Sequence, residues 1–206
     1  MNKCIIFSAF GDVCLNEAVV SAKAAKKNMA ENITLVLHAE KNFARPDGCE
    51  IFDHIFEQKK PKSFQTKPYA FKIQGMINAC EEPGFDEFLF LDTDTVIMDV
   101  AVAHAPDRTI GEKINSIPDC FPEFNTGVIV FKKTCLAVFE QALHLYLSEF
   151  IKHPHDQGAF RKAIYFSKLR IATLPPEYNH RGANLINCFI WHNHEAIKYF
   201  KNRDQP

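Results

Sequence analysis

The chain has 206 residues, of which 47% are hydrophobic and 24% charged, the balance of a globular protein that can bury a sizeable core. Its 24 Lys and Arg residues offset 25 Asp and Glu residues, so the net charge of −1 lacks the basic excess of a general nucleic-acid binder. No apolar run approaches the roughly 20 residues of a membrane span. The 7 cysteines are scattered, which argues against a disulfide framework and a zinc ribbon. We therefore expect a single domain, residues 1–206, located in the cytoplasm.

Short apolar runs alternate with helical patterns along the chain. Residues 66–80 have Thr66 as a candidate N-cap and Pro68 in the first turn. The long polar stretch 99–117 is typical of a functional or mobile loop. In chain order the patterns predict strand Lys3–Ala9, helix 16–27, strands 33–38 and 51–56, helix 66–80, strands 87–98 and 126–131, helices 136–151 and 156–166, and strands 171–174 and 187–191. Such alternation predicts an α/β fold with helices on both faces of the sheet, and ligands at the carboxyl ends of its strands.

The strand predicted over residues 87–98 contains two aspartates, Asp92 and Asp94, directly after four apolar residues. Side chains at this spacing share one side of an extended chain, where two carboxylates repel each other unless a positive group lies beside them. A divalent cation such as Mg²⁺ or Mn²⁺ meets that need with oxygen ligands. Alternatively, one aspartate caps a turn and the other is merely exposed. The apolar run before the pair favours the metal site.

Two enzyme classes use a strand that ends in Asp-x-Asp. Phosphatases of the haloacid-dehalogenase type have a nucleophilic and an acid/base aspartate in a pattern that Asp92, Asp94 and Val96 satisfy. Those enzymes need a later acidic pair and usually open with the motif, whereas here the later acids stand singly and several predicted elements come first. A phosphatase is therefore the alternative hypothesis.

Several segments follow one another in a characteristic order. They are the strand that leads to Asp92 and Asp94, then residues 124–128 (Phe-Asn-Thr-Gly-Val), 156–158 (Asp-Gln-Gly) and 174–179 (Leu-Pro-Pro-Glu-Tyr-Asn), and last His192 with Lys198. In this order the chain, from residue 3 to about residue 200, resembles glycosyltransferase family eight, the group of glycogenin and bacterial lipopolysaccharide galactosyltransferases. It departs from the family's last segment, where Glu195, Tyr199 and Phe200 replace Gly, Pro and Trp.

The resemblance implies a GT-A-type α/β fold, with a central mixed and mostly parallel sheet flanked by helices. It implies metal-dependent transfer of a hexose from a nucleoside-diphosphate sugar, a UDP-hexose in the first instance, to an unknown glycan, lipid or protein acceptor. The implied ligands of Mn²⁺ or Mg²⁺ are Asp92, Asp94 and His192, with His194 as a rival to His192; an imidazole ligand suits Mn²⁺ better. The implied donor-binding residues are Ser8, Ala9, Phe10, Lys72, Asp92, Asn125 and Lys198.

The same resemblance places Asp156 and Gln157 beside the anomeric carbon and favours retention of configuration. In a retaining reaction either side chain stabilises an oxocarbenium-like species, whereas an inverting reaction needs a carboxylate as general base. Asp156 is also a plausible N-cap of the following helix.

Two further hypotheses stay open at this point. One is a catalytically degenerate fold that binds a nucleotide sugar without transferring it. The other is a zinc site made of His153, His155 and His180, although the i, i+2 spacing of the first two differs from the i, i+4 spacing of helical zinc motifs.

Overall fold

The structure is a computed structural model that describes residues 2–29, 33–64, 67–98, 124–150, 152, 155–167, 169, 171–172, 174, 176–182 and 188–203. The strands are Lys3–Ala9 (β1), Thr34–Glu40 (β2), His54–Gln58 (β3), Glu87–Leu91 (β4), Thr95–Ile97 (β5), Val128–Lys132 (β6) and Ile190–His192 (β7). The α-helices are Gly11–Asn28 (α1), Pro68–Glu81 (α2), Leu136–Ser148 (α3), Gln157–Phe166 (α4) and His194–Arg203 (α5). Within this described part, no helix is both long and apolar enough to cross a membrane.

A five-stranded sheet has the strand order β3-β2-β1-β4-β6. Strand β1 is parallel to β2 and β4, β2 is parallel to β3, and β6 runs antiparallel to β4. Because β1 and β4 are parallel and Phe7 lies opposite Leu91, the residues that follow the two strands emerge side by side. This arrangement confirms the predicted mixed, mostly parallel sheet. Strands β5 and β7 form a separate antiparallel pair.

Helices cover both faces of the five-stranded sheet, as predicted. Alternate residues of β1 and β4, such as Ile6 and Phe90, pack in a buried cluster with side chains of α2, α3 and α4. The intervening residues, such as Ile5 and Phe7, pack in a second cluster with side chains of α1. A strand that is apolar on both sides has to be covered twice, because either face left open would expose apolar surface to water.

Most predicted elements are present with shifted ends. Helix α1 begins at Gly11, directly after β1, and not at residue 16; a positive φ of 73° at Gly11 allows the abrupt change from strand to helix. Helix α2 begins at Pro68, which confirms its position in the first turn, while the proposed N-cap Thr66 lies outside the described residues. The proposed loop 99–117 also lies outside them.

Three strand predictions need correction. The strand predicted over 87–98 is two strands, β4 and β5, separated by a turn at the aspartates. The strand predicted over 51–56 is a 3₁₀ turn, Cys49–Ile51, followed by β3. Of the strand predicted over 171–174, the described residues Ile171, Ala172 and Leu174 are not in a strand. Apolar runs this short do not distinguish strands from irregular backbone without their neighbours.

Candidate active site

The two aspartates lie in the turn between β4 and β5. Asp92 accepts hydrogen bonds at its carbonyl oxygen from the Thr95 backbone nitrogen at 3.2 Å and from Thr95 Oγ1 at 2.8 Å. The spacing predicted that Asp92 and Asp94 would lie on one side of an extended strand. They lie in a turn instead. The turn nevertheless directs both carboxylates at the same imidazole, that of His192.

Asp92, Asp94 and His192 each offer a ligand atom, and these atoms lie within 4.8 Å of one another. His192 Nε2 is 3.2 Å from Asp94 Oδ1 and 3.5 Å from Asp92 Oδ2. Within the described part of the chain, this is the one group of three or more such side chains close enough to hold a metal ion. The zinc hypothesis gains no support there from His155 and His180, and its third member, His153, lies outside the described residues.

The orientation of His192 suits a metal ligand. Its Nδ1 lies 2.7 Å from the amide oxygen of Asn179, an atom that can only accept a hydrogen bond. Nδ1 therefore donates to Asn179, and Nε2 is the ring nitrogen that faces the two aspartates. A histidine that binds a metal is commonly held in this way by an acceptor at its other nitrogen.

Gly127 leaves room for the His192 ring. A Cβ atom at position 127 would lie 1.9 Å from His192 Cε1, which is far inside van der Waals contact. The backbone oxygen of Gly127 also accepts a hydrogen bond from the Asp92 nitrogen at 2.8 Å. The glycine therefore joins the turn of the aspartates to the histidine, and a side chain here would separate them.

Behind the metal-ligand set lies a buried cation, Lys72 of α2. Its Nζ is 2.9 Å from Asp92 Oδ1, 3.1 Å from Thr126 Oγ1 and 3.5 Å from Asp156 Oδ2. Thr126 Oγ1 in turn lies 2.9 Å and 3.0 Å from the two carboxylate oxygens of Asp156 and donates to them. Lys72, Thr126 and Asp156 are all buried. As a lone helical lysine Lys72 would be expected to face solvent, so its burial here results from the two carboxylates.

The pKa shifts follow from this arrangement. Burial alone would lower the pKa of Lys72, but the charges of Asp156 and Asp92 outweigh it and raise that pKa. Burial raises the pKa of Asp92 even though Lys72 and His192 oppose the shift. Burial also acts to raise the pKa of Asp94. The hydrogen bond with His192 and the charge of that histidine outweigh burial, so the pKa of Asp94 is lowered.

The proposed base-binding residues end β1 next to Asp92. Ser8 and Ala9 are buried, and Ser8 Oγ has no hydrogen-bond partner among the described residues. Phe10 is partly exposed, packs edge-on against Phe71 and has Lys60 Nζ 4.5 Å from its ring centre.

The other predicted site residues differ in their contacts and burial. Asn125 Oδ1 accepts a hydrogen bond from the Gly127 nitrogen at 2.8 Å, so the amide braces the loop before β6. Gln157 is half-buried at the start of α4, next to Asp156. Asp156 itself makes no side-chain cap to α4. Lys198 lies on α5, where its exposed amine pairs with Glu195 at 2.6 Å and not with the aspartates.

Three site residues were not singled out from the sequence: Thr126, Asn179 and Glu17. Thr126 and Asn179 lie inside the segments 124–128 and 174–179, so the motifs contained them without showing their contacts. Glu17 of α1 lies 2.7 Å from His194 Nδ1 through Oε1, and no local pattern marked it.

Comparison with known proteins gives a consistent result for the fold. No protein-family model and no curated protein matches the sequence. An active-site mutant of LgtC matches in structure with a TM-score of 0.64 and 13% identity, over 97% of this chain and 95% of that chain. The galactosyltransferase LgtC in complex with donor and acceptor sugar analogs matches with a TM-score of 0.64 and 12% identity, over the same 97% and 95%.

The apo-form glycosyltransferase GlyE of Streptococcus pneumoniae TIGR4 also matches, with a TM-score of 0.54 and 12% identity, over 86% of this chain but 46% of that chain. Identities this low carry the fold and nothing finer. The chain therefore has the GT-A-type fold of these glycosyltransferase structures, as the order of its motifs predicted.

Proposed function

We propose that this protein is a metal-dependent glycosyltransferase that moves a hexose from a UDP-sugar to a glycan, lipid or protein acceptor, with retention of configuration. The observation that supports this most is the Asp92, Asp94 and His192 set, which lies at the carboxyl edge of a sheet with a glycosyltransferase fold. In open α/β sheets, ligands collect at that edge.

The ligand atoms fit a divalent cation. Two carboxylates and one imidazole nitrogen form a mixed oxygen and nitrogen set, which suits Mn²⁺ better than Mg²⁺. When bound, such an ion supplies positive charge to the diphosphate leaving group. Asp92 is already oriented by Lys72, so the site needs little rearrangement to receive the ion.

Donor binding is proposed along the ends of β1 and β4. Phe10, partly exposed directly after β1, is proposed to receive the base on its ring, together with the end of β1 at Ser8 and Ala9. Lys72 holds Asp92 in place and offsets the negative charges of Asp92 and Asp156. The amide oxygen of Asn125 is engaged by Gly127, which leaves its amide nitrogen to donate to a sugar hydroxyl. A role for Lys198 at the diphosphate requires its release from Glu195.

The catalytic step is proposed at Asp156 and Gln157. The bond from the anomeric carbon to the diphosphate breaks, the acceptor hydroxyl oxygen bonds to that carbon, and the hydroxyl proton passes to the leaving diphosphate. Gln157 is half-buried at the start of α4. Its amide oxygen is assigned the role of stabilising the oxocarbenium-like species. Asp156 is held by Lys72 and Thr126, and contributes a fixed negative charge beside it. In LgtC, an active-site glutamine has been replaced by glutamate, so a glutamine also occupies that protein's active site.

Calorimetry with UDP tests the donor and metal parts together. We expect UDP to bind the wild-type protein in the presence of Mn²⁺ and not in its absence. Asp94→Asn should abolish that binding, since it removes a carboxylate ligand, whereas Asp47→Asn, a change at an exposed aspartate, should leave it unchanged. Metal-independent binding of UDP, or unaltered binding to Asp94→Asn, would refute the proposal.

Turnover distinguishes the remaining hypotheses. A screen of nucleotide sugars should find one donor that is hydrolysed slowly with Mn²⁺ in the absence of acceptor. UDP binding without hydrolysis or transfer would indicate the degenerate binding module. The phosphatase alternative is not favoured, because the fold matches glycosyltransferases; it would show itself by hydrolysis of a phosphomonoester and a phosphoryl group trapped on Asp92.

A further inference from the structure

We propose that Thr95 is a positioning residue for the candidate metal site and that Ser21 of α1 holds it in place. The inference deepens the proposed function and rests on its metal site. Neither residue belongs to the set of candidate ligands. The two hydroxyl groups act through the backbone of the turn that carries Asp92 and Asp94, and so through the distance between the carboxylates and the imidazole of His192.

Thr95 lies where the parts of the site meet. Its hydroxyl group donates to the Asp92 carbonyl oxygen at 2.8 Å, and its backbone nitrogen donates to the same oxygen at 3.2 Å. These two bonds close the turn that contains the aspartates. In the antiparallel pair of β5 and β7, Thr95 also lies opposite His192. One fully buried residue therefore joins the aspartate turn to the strand that carries the imidazole.

The hydroxyl groups of Ser21 and Thr95 form a chain of hydrogen bonds with one direction. Ser21 Oγ lies 3.3 Å from Thr95 Oγ1, and both side chains are fully buried. A carbonyl oxygen can only accept, so the Thr95 hydroxyl proton is directed at Asp92 and Ser21 must be the donor to Thr95. Thr95 is β-branched and stiff at χ1, so these bonds fix its single rotatable side-chain bond. The order of the turn is thereby tied to helix α1.

The same face of α1 contacts the residues on either side of this position. Glu17 Oε2 accepts a weaker hydrogen bond from Thr93 Oγ1 at 3.4 Å, and Asn28 Nδ2 donates to the Ile97 carbonyl oxygen at 2.6 Å. Residues 17, 21 and 28 are separated by 4 and 7 positions, which are close to one and two turns of an α-helix, so they share one face. A polar stripe of α1 therefore runs along the aspartate turn and β5, and Ser21 lies within it.

The alternative interpretation is that the two hydroxyl groups only satisfy each other in the protein interior, as buried polar groups generally do. That role predicts variants that are less stable but bind a metal ion as the wild type does. A positioning role predicts a loss of metal affinity that other variants of equal stability do not share. It also predicts that a side chain which keeps the hydroxyl group keeps the affinity.

A titration of the nucleotide-free protein with Mn²⁺, followed by electron paramagnetic resonance, decides between them. We expect Thr95→Val, which keeps the shape and removes the hydroxyl group, to weaken Mn²⁺ binding by about 10- to 100-fold, the effect of removing groups that support metal ligands. Thr95→Ser should bind close to the wild-type level. Ser21→Ala leaves the bond from Thr95 to Asp92 in place and should weaken binding by about fivefold, the factor that one ordinary hydrogen bond is worth.

Val19→Ala is the matched control. Val19 is buried on the same helix, but it packs against the sheet in the cluster of Ile5 and Phe7 and not against the aspartate turn. The variant should therefore be less stable in urea and bind Mn²⁺ with unchanged affinity. An equal loss of affinity in Val19→Ala and Ser21→Ala would overturn the inference, and so would wild-type affinity in Thr95→Val or a loss in Thr95→Ser as large as in Thr95→Val.

Amide hydrogen exchange of the metal-free protein gives a readout that needs no ion. The amide of Thr95 donates to the Asp92 carbonyl oxygen, so Ser21→Ala should accelerate its exchange, whereas Val19→Ala should not do so selectively. Unchanged exchange of this amide in Ser21→Ala would contradict the hydrogen-bond chain. If the wild type binds UDP with Mn²⁺ and the Thr95 and Ser21 variants bind equally well, the inference fails and the proposed function stands. A wild-type protein that binds no Mn²⁺ would overturn both.

Discussion

The buried and the open sides of the candidate site compensate their charges in different ways. On the buried side, the Lys72 amine lies between Asp92 and Asp156, and Thr126 donates to Asp156, so the charges are satisfied within the protein. On the open side, the carboxylate of Asp94 faces the Nε2 atoms of His192 and His194 at 3.2 and 3.9 Å. Burial alone therefore does not identify the atoms that bind a ligand. The buried side fixes the position of Asp92, and the open side retains the capacity to bind a metal ion.

The largest expected effect comes from removing the buried cation, Lys72. Lys72→Met leaves Asp92 and Asp156 without their counter-charge, and loss of one partner from a buried ion pair costs about 3–5 kcal/mol. We expect the free energy of unfolding in urea to fall by that amount. Lys198→Met, at an exposed pair, is the control and should change it by about 1 kcal/mol or less. Equal stability of the two variants would mean that the buried charges do not stabilise the fold.

His38 sharpens the comparison, because it is buried on β2 without hydrogen-bond partners for its ring among the described residues. Burial lowers its pKa from 6.5 to about 4. As the pH falls below 6.5, the unfolded chain takes up the proton first, so the free energy of unfolding decreases until the folded protein is also protonated near pH 4. The total loss is about 3 kcal/mol.

His38→Leu removes this contribution, so the difference in stability between wild type and variant should change with pH over that interval. Urea unfolding at a series of pH values measures it. Other titrating groups are common to both proteins and cancel in the difference. Parallel stability curves would show that His38 is not held neutral by the fold.

A smaller effect is expected from Thr126→Val, which keeps the shape of the side chain and removes its hydroxyl. The variant loses a hydrogen bond to the Asp156 carboxylate and one from Lys72, at a cost of about 1.5–3 kcal/mol for bonds to charged groups. Thermal or urea unfolding measures the loss, with the exposed Thr134→Val as control. A variant as stable as the control would place Asp156 outside the buried network.

The last prediction concerns a substitution that disturbs the open side without replacing a candidate metal ligand. Gly127→Ala puts a Cβ atom 1.9 Å from the present position of His192 Cε1, so the ring must move away from the aspartates. We expect Mn²⁺ affinity, measured by electron paramagnetic resonance, to fall about 10- to 100-fold. Gly75→Ala places a Cβ atom equally close to Ser8 Oγ, outside the ligand set, and should not change it. A similar loss in both variants would indicate a general packing effect.

The ability of the sequence to predict the fold varies with the length of the pattern. Strand β1 was predicted with both ends correct, since seven consecutive residues carry one signal. Helix α5 was not predicted, because its polar residues suggest a solvated chain end; in the structure Ala196, Ile197 and Phe200 pack against β5, β7 and α1. Short elements depend on partners that are distant in the chain, and local patterns do not contain those partners.

The sequence by itself determined the alternation of strands and helices, the carboxylates at a strand end and, through the order of its motifs, the candidate residues of a metal site. Only the tertiary structure decided that Lys72 is buried between two aspartates, that Asn179 and Glu17 orient two histidines, and that Gly127 makes room for one of them. The physical reason is the range of the forces. Backbone preference and apolar periodicity act within a few residues, whereas charge compensation and steric fit act between atoms that only the packed chain brings together.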